Sequence, residues 1–98
     1  MINIKFEWDL NKANLNLIRH RISFEEACEA FFDPNAIDDF DVEHSVSETR
    51  YNLIGLSSRR LLFVVHTEKK ETEGEVIVRI ISARKAEKKH RSLYEQQN

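Results

Sequence analysis

Arginine holds anions well because its guanidinium stays charged and presents a planar fork of donors that matches phosphate oxygens. Arg79 and Arg84 fall within Val76-Ile77-Val78-Arg79-Ile80-Ile81-Ser82-Ala83-Arg84, whose β-branched residues read as a buried strand. In a two-residue period Arg79 shares a face with Ile77 and Ile81, so a permanent charge points where an apolar side chain is expected. Left buried and unpaired it would cost several kcal/mol, on the order of the stability of a small domain. It therefore needs a partner, an anion or a water-filled cleft; the alternative is a rim arginine of a half-exposed sheet. His66 ends the apolar run Leu61 to Val65 on the face of Leu62 and Val64. An imidazole there can take or give a proton near neutrality, or it is simply a hydrogen-bonded core histidine. Arg50 and Arg60 sit at strand boundaries where hairpin ends can converge, and Glu48 can orient an arginine or act as a base. Lys12 and His20 return to roughly the same side of a helix. Lys85 and Lys88 belong to the basic run Arg84, Lys85, Lys88, Lys89, Arg91, which suits non-specific contacts with phosphate. For each of these cations the alternative is a solvated surface charge.

The elements that must position these groups follow from periodicity. Ile2, Ile4 and Phe6 alternate with polar residues, as in a half-buried strand. Asp9 then caps a first helix whose stripe is Leu10, Ala13, Leu17 and Ile18, ending near His20. Ser23 with Glu26 forms a capping box for a second helix that buries Phe24, Ala27, Cys28 and Phe31 and ends at Asp33-Pro34. Ala36 to Val42 makes a weak, polar strand, and His44 to Ser47 a turn. Tyr51 to Leu56 is a strand, Ser57 to Arg60 a turn, and Leu61 to Thr67 the best candidate for the central strand. The charged stretch Glu68 to Glu75, with Gly74, suits a hairpin loop into the strand that carries Arg79. From Ala83 the pattern becomes helical, which places Arg84 in a first helical turn. Strands joined by short turns give an antiparallel sheet, and two helices ahead of it make the chain α+β.

Composition bounds the alternatives. A chain of 98 residues with 41% hydrophobic and 33% charged residues is one domain, 1–98, with a single core. The longest apolar run is far shorter than a membrane span and no apolar signal core opens the chain, so a soluble, cytoplasmic protein is expected. One cysteine, Cys28, excludes an internal disulfide and any zinc framework built on cysteines; a buried, inert thiol is the expectation. The net charge of −2 conceals an asymmetry, with −7 over residues 1–49 and +5 over residues 50–98. The halves can neutralise each other, or a basic face can meet a polyanion while the acidic half meets a basic partner.

Phe6-Glu7-Trp8-Asp9 with Lys12, Arg19-His20-Arg21-Ile22-Ser23-Phe24-Glu25-Glu26-Ala27 and Phe32-Asp33-Pro34 resemble the N-terminal signature of the BrnT toxins. His44-Ser45, Glu48-Thr49-Arg50, Ile54-Gly55, Arg60 to Val65, Arg79 to Ala86 and Tyr94-Glu95 resemble its second half. The resemblance implies a RelE-like fold with two N-terminal helices packed on an antiparallel sheet and a C-terminal helix. It also implies a metal-independent endoribonuclease of a type II toxin–antitoxin pair that arrests growth. Its partner would be a BrnA-type antitoxin, in a heterotetramer that meets DNA only through the antitoxin, and no cofactor is implied. Metal-free cleavage of RNA requires a base for the 2′-hydroxyl, an acid for the leaving oxygen and cations for the charge on phosphorus. His66, Arg79, Arg84, Glu48 and Arg50 are the expected catalytic set, with Arg60, Lys12, Lys85 and Lys88 holding substrate. The family usually has glycine where this chain has Arg21 and Arg59, which bears on both turns. The rival expectation is a non-catalytic module that binds RNA or protein.

Overall fold

The computed structural model describes residues 3–45, 48–70 and 74–97. Ile2, Val46-Ser47 of the expected turn and residues 71–73 of the expected loop lie outside them. The order is β1 (Asn3–Glu7), α1 (Leu10–His20), α2 (Phe24–Ala30), β2 (Ile37–Phe40), β3 (Tyr51–Leu56), β4 (Leu61–Lys70), β5 (Glu75–Lys85) and α3 (Lys88–Gln96). The strands form one sheet in the order β1-β5-β4-β3-β2, so β4 is central, as its apolar run implied. From β2 to β5 neighbours pair antiparallel, whereas β1 pairs parallel with β5. The sheet is therefore mixed rather than antiparallel. Both N-terminal helices lie in the connection after β1, which leaves β1 free to add beside the last strand in the parallel sense.

α1 packs on β5 and α2 on β3, β4 and β5. The main core joins Ile22, Phe24, Ala27 and Ala30 to Leu53, Leu62, Val64, Val78, Ile80 and Ala83 of the sheet. α3 packs on β3, where Tyr94 meets Ile54 and Leu61 in a second, smaller cluster. Gly55 permits α2 to lie close: a Cβ there would come within 2.6 Å of the Ala30 carbonyl oxygen. Beyond α2, Asp33 fastens three elements together. Its carboxylate accepts from Leu56 N–H at 2.8 Å, Tyr94 O–H at 2.6 Å and Asn35 N–H at 2.9 Å.

Two helix expectations are corrected. Of the expected apolar stripe of α1 only Ala13 packs against the core; Leu10, Leu17 and Ile18 are 75%, 49% and 71% exposed, and Asn16 is the buried residue. β1 pairs with β5 only as far as Arg79, so further along that edge the Ala83 backbone lacks a strand partner. The Asn16 amide replaces it, accepting from Ala83 N–H at 3.0 Å and donating to Ala83 C=O at 2.8 Å and Ile22 C=O at 2.9 Å. Buried backbone polar groups must be satisfied, and that requirement overrides apolar periodicity here. The second correction concerns the last helix, which begins at Lys88 rather than Ala83. Pairing of Arg84 with Phe63 and Lys85 with Leu62 keeps this segment extended despite its helix-forming composition.

The α1 turn and the α2 cap also differ in detail. Arg21 takes the left-handed conformation (φ 59°) that a glycine would adopt without steric cost, and its N–H closes the helix on Leu17 C=O at 3.0 Å. Arg59 needs no such conformation, because Ser57 Oγ accepts from both Arg59 N–H and Arg60 N–H at 3.1 Å. Ser23 caps α2 by accepting from Glu26 N–H at 3.0 Å, but the Glu26 carboxylate turns to Arg60 instead of completing a capping box.

Candidate active site

A break in register decides which groups share a face. Between Val65/Ser82 and His66/Ile80 the pairing of β4 with β5 slips by one residue, leaving Ile81 as the extra residue of a bulge. Arg79 lies opposite Thr67, Ser82 opposite Val65 and Arg84 opposite Phe63. All three therefore point to the side of Phe63 and Val65, whereas a regular strand would send Arg79 and Arg84 to opposite faces. That side faces away from α1 and α2, and Arg79 is exposed on it rather than placed among core residues.

A cleft of about 640 Å³ occupies this face. Its floor is Ile54, Phe63, Val65 and Ile81; Arg50 and Asn52 come from β3 and its approach, Ser82 and Arg84 from β5, and Lys89, His90 and Leu93 from α3. Asp39, Asp41, Glu43 and His44 form the wall at β2, and His20 closes the rim from the end of α1. The Arg84 guanidinium lies 5.1 Å from the Phe63 ring centroid, and Phe63 stacks on His90 at 4.1 Å with ring planes 14° apart. His90 is 6% exposed and its Nδ1 accepts from Glu87 N–H at 3.0 Å, which leaves the proton of the neutral ring on Nε2. Burial, and next the Arg84 charge, hold its pKa below the usual histidine value. His90 is therefore a neutral hydrogen-bond donor at pH 7. Burial raises the pKa of Asp41, but hydrogen bonds from the His44 ring and backbone and from Asn52 outweigh it, and the carboxylate stays ionised.

Of the residues singled out in the sequence, the cleft brings Arg84, Arg50, Lys89 and His20 together. Glu48 reaches it through Arg50, whose guanidinium it accepts at 3.3 Å. His66 lies on the other face, fully enclosed; its Nε2 bonds Asp38 at 2.8 Å, its ring stacks on Tyr51 at 5.6 Å, and Phe31 meets it edge-on at 4.8 Å. Its Nδ1 has no hydrogen-bond partner among the described residues. Arg79 lies outside the cleft lining and pairs with Glu7 at 3.4 Å. Arg60 is held by Glu26 through two bonds, of 2.7 and 2.9 Å, and that pairing lowers the Glu26 pKa. Lys12, Lys85 and Lys88 are exposed and outside the lining.

His90, Asn52 and the acidic wall of Asp39, Asp41 and Glu43 are cleft groups that the pattern did not mark as a site. The placement of His90 depends on β5 running to Lys85, so its only local signal was its position three residues after Glu87 at a helix start. The remaining reactive groups are structural: burial pushes the Cys28 thiol up to about 11, and burial with the Asp33 bond pushes the Tyr94 phenol up to about 12. Among the described residues no group of three or more His, Cys, Asp or Glu is placed to hold a metal ion. No helix is long and apolar enough to cross a membrane.

Comparison with curated proteins gives no match. Residues 8–90 match the family described as ribonuclease toxin, BrnT, of type II toxin–antitoxin system. That match takes in α1 to β5, the bulge and the start of α3, and with it every cleft residue except Leu93. The chain belongs to the BrnT family of ribonuclease toxins of type II toxin–antitoxin systems.

Proposed function

We propose that the protein is a metal-independent endoribonuclease that cleaves RNA in the open-face cleft. The observation that carries this reading is the convergence of Arg84, Arg50 and Lys89 with the neutral His90 over one apolar floor. In such cleavage the 2′-hydroxyl loses its proton and attacks phosphorus, the bond to the 5′-oxygen breaks, and that oxygen is protonated. Negative charge accumulates on the non-bridging oxygens as this happens, and guanidinium donors aimed there stabilise it. Arg84 and Arg50 are the phosphate clamp, Glu48 orients Arg50, and His90 donates Nε2–H to a phosphate oxygen. His20, His44 and Asp39 are the rim groups able to exchange protons with the substrate. Lys88, beside Lys89 in the chain, extends the basic rim along the RNA backbone, whereas Lys85, opposite Leu62, lies on the other face of the sheet. His66, with Asp38 and Tyr51, is a positioning residue that fixes β4 against the β2 and β3 wall, and Arg60 serves the fold through Glu26. Lys12, on α1, and Arg79, paired with Glu7, lie outside the cleft and take no part in its chemistry.

The fold is read as RelE-like, and the partner as a BrnA-type antitoxin that holds the toxin silent in a cytoplasmic heterotetramer. Release of the toxin arrests growth. Expression without antitoxin tests this: wild type stops growth, Arg84→Ala does not, and continued arrest by the variant would remove Arg84 from the site. A second reading draws on Asp39, Asp41 and Glu43, which match the cleft's cations in number. It is a non-catalytic module whose cleft takes a basic protein segment, and cleavage of purified RNA by the free protein would dismiss it.

A further inference from the structure

α1 is inverted with respect to its own amphipathicity. At 100° per residue Leu17, Leu10, Ile18 and Leu15 fall within an arc of about 160°, with Asn16 diametrically opposite. Asn16 faces the sheet, and the four apolar residues are 46–75% exposed. The charges on the helix are all positive: Lys12 and Arg19 border the arc beside Leu15, Arg21 follows the last turn, and no acidic residue lies between Leu10 and His20. Asn11 and Asn14 fall between the four apolar residues on the same arc; a soluble domain leaves four large apolar side chains exposed on one helix face where something else covers them. Resting on the family's toxin–antitoxin reading, we infer that this face is a docking surface for an amphipathic helix of the antitoxin, apolar along its centre and acidic along the edge that meets Lys12 and Arg19.

Charge complementarity selects that occupant. A second copy of this chain would bring the same positive rim against itself if α1 met α1 across a twofold axis. A lipid surface calls for a denser set of cations than Lys12, Arg19 and Arg21 provide. The location also suits inhibition, because α1 ends at His20 and His20 lines the cleft rim. A helix lying along α1 thus ends beside the mouth of the cleft without entering it.

The test is titration of purified antitoxin into the antitoxin-free protein, as wild type, Ile18→Glu, Leu17→Glu and Arg19→Glu. Melting temperature and RNA cleavage are measured for each free variant. Ile18→Glu and Leu17→Glu are expected to melt within a few degrees of wild type, cleave RNA as it does, and lose about 100-fold or more in antitoxin affinity. Arg19→Glu is expected to lose about 10-fold, with a weaker salt dependence. Unchanged affinity in the folded Ile18→Glu and Leu17→Glu variants overturns the assignment. So does a wild-type dimer that Ile18→Glu dissociates, or binding to anionic vesicles that Ile18→Glu abolishes. Failure of wild type to cleave RNA would count against the nuclease reading alone, since the affinity comparison is read separately.

Discussion

Asn16 is the side chain on which the most backbone depends. Truncating it strands the Ala83 N–H and two carbonyls in a buried site, so Asn16→Ala is expected to cost about 3 kcal/mol in urea denaturation. A cost below about 1 kcal/mol would show that water or a shift of α1 replaces the amide. Arg60 matters in a different way, by compensating the buried carboxylate of Glu26. The Glu26 pKa is lowered by the Arg60 hydrogen bonds first, against burial. A carboxylate with a depressed folded-state pKa contributes stability above its unfolded value, and that contribution is lost as pH falls through the folded value. Arg60→Ala is therefore expected to cost about 2 kcal/mol at pH 7, with the gap from wild type closing below about pH 4 as Glu26 becomes protonated in both. Neither role was legible in the sequence. The capping-box spacing of Ser23 and Glu26 was sound as local chemistry, but a long-range partner claimed the carboxylate. An asparagine in an apolar helical pattern reads as a solvent position until the edge it mends is known.

Elements were legible wherever local chemistry was strong. The caps at Asp9 and Ser23 and the apolar run of β4 appear where the pattern placed them, while α2 ends at Ala30, three residues before the expected stop at Asp33-Pro34. The sense of the β1–β5 pairing, the inversion of α1 and the extension of β5 to Lys85 depend on contacts distant in sequence, and periodicity carries no information about those. Two substitutions test the turn and packing arguments. Arg21→Gly relieves a left-handed arginine and is expected to stabilise the protein by about 0.5–1 kcal/mol, raising the melting temperature by a few degrees. No gain would mean that the Arg21 side chain contributes contacts that offset its backbone strain. Gly55→Ala places a Cβ against the Ala30 carbonyl. Because that oxygen belongs to the backbone, α2 must move, and a loss of about 2 kcal/mol in thermal unfolding is expected.

At the scale of the whole molecule, the charge asymmetry of the two halves resolves into the walls of one cleft. Asp39, Asp41 and Glu43 come from the acidic half and face Arg50, Arg84 and Lys89 from the basic half. The two proposed interfaces lie on different sides of the sheet, RNA on the open face and the antitoxin along α1. His20 is where they approach each other. The sequence could indicate that Arg84 and Arg79 matter, but the bulge at Ile81 determines which face each occupies, and one extra residue leaves no mark in an apolar strand pattern. The most direct test is incubation of purified, antitoxin-free protein with RNA in the presence of EDTA, beside Arg84→Ala and Arg79→Ala. Wild type and Arg79→Ala are expected to cleave at similar rates, and Arg84→Ala at least about 100-fold more slowly. Cleavage by Arg84→Ala at the wild-type rate, or abolition of cleavage by EDTA, would contradict a metal-independent active site in this cleft.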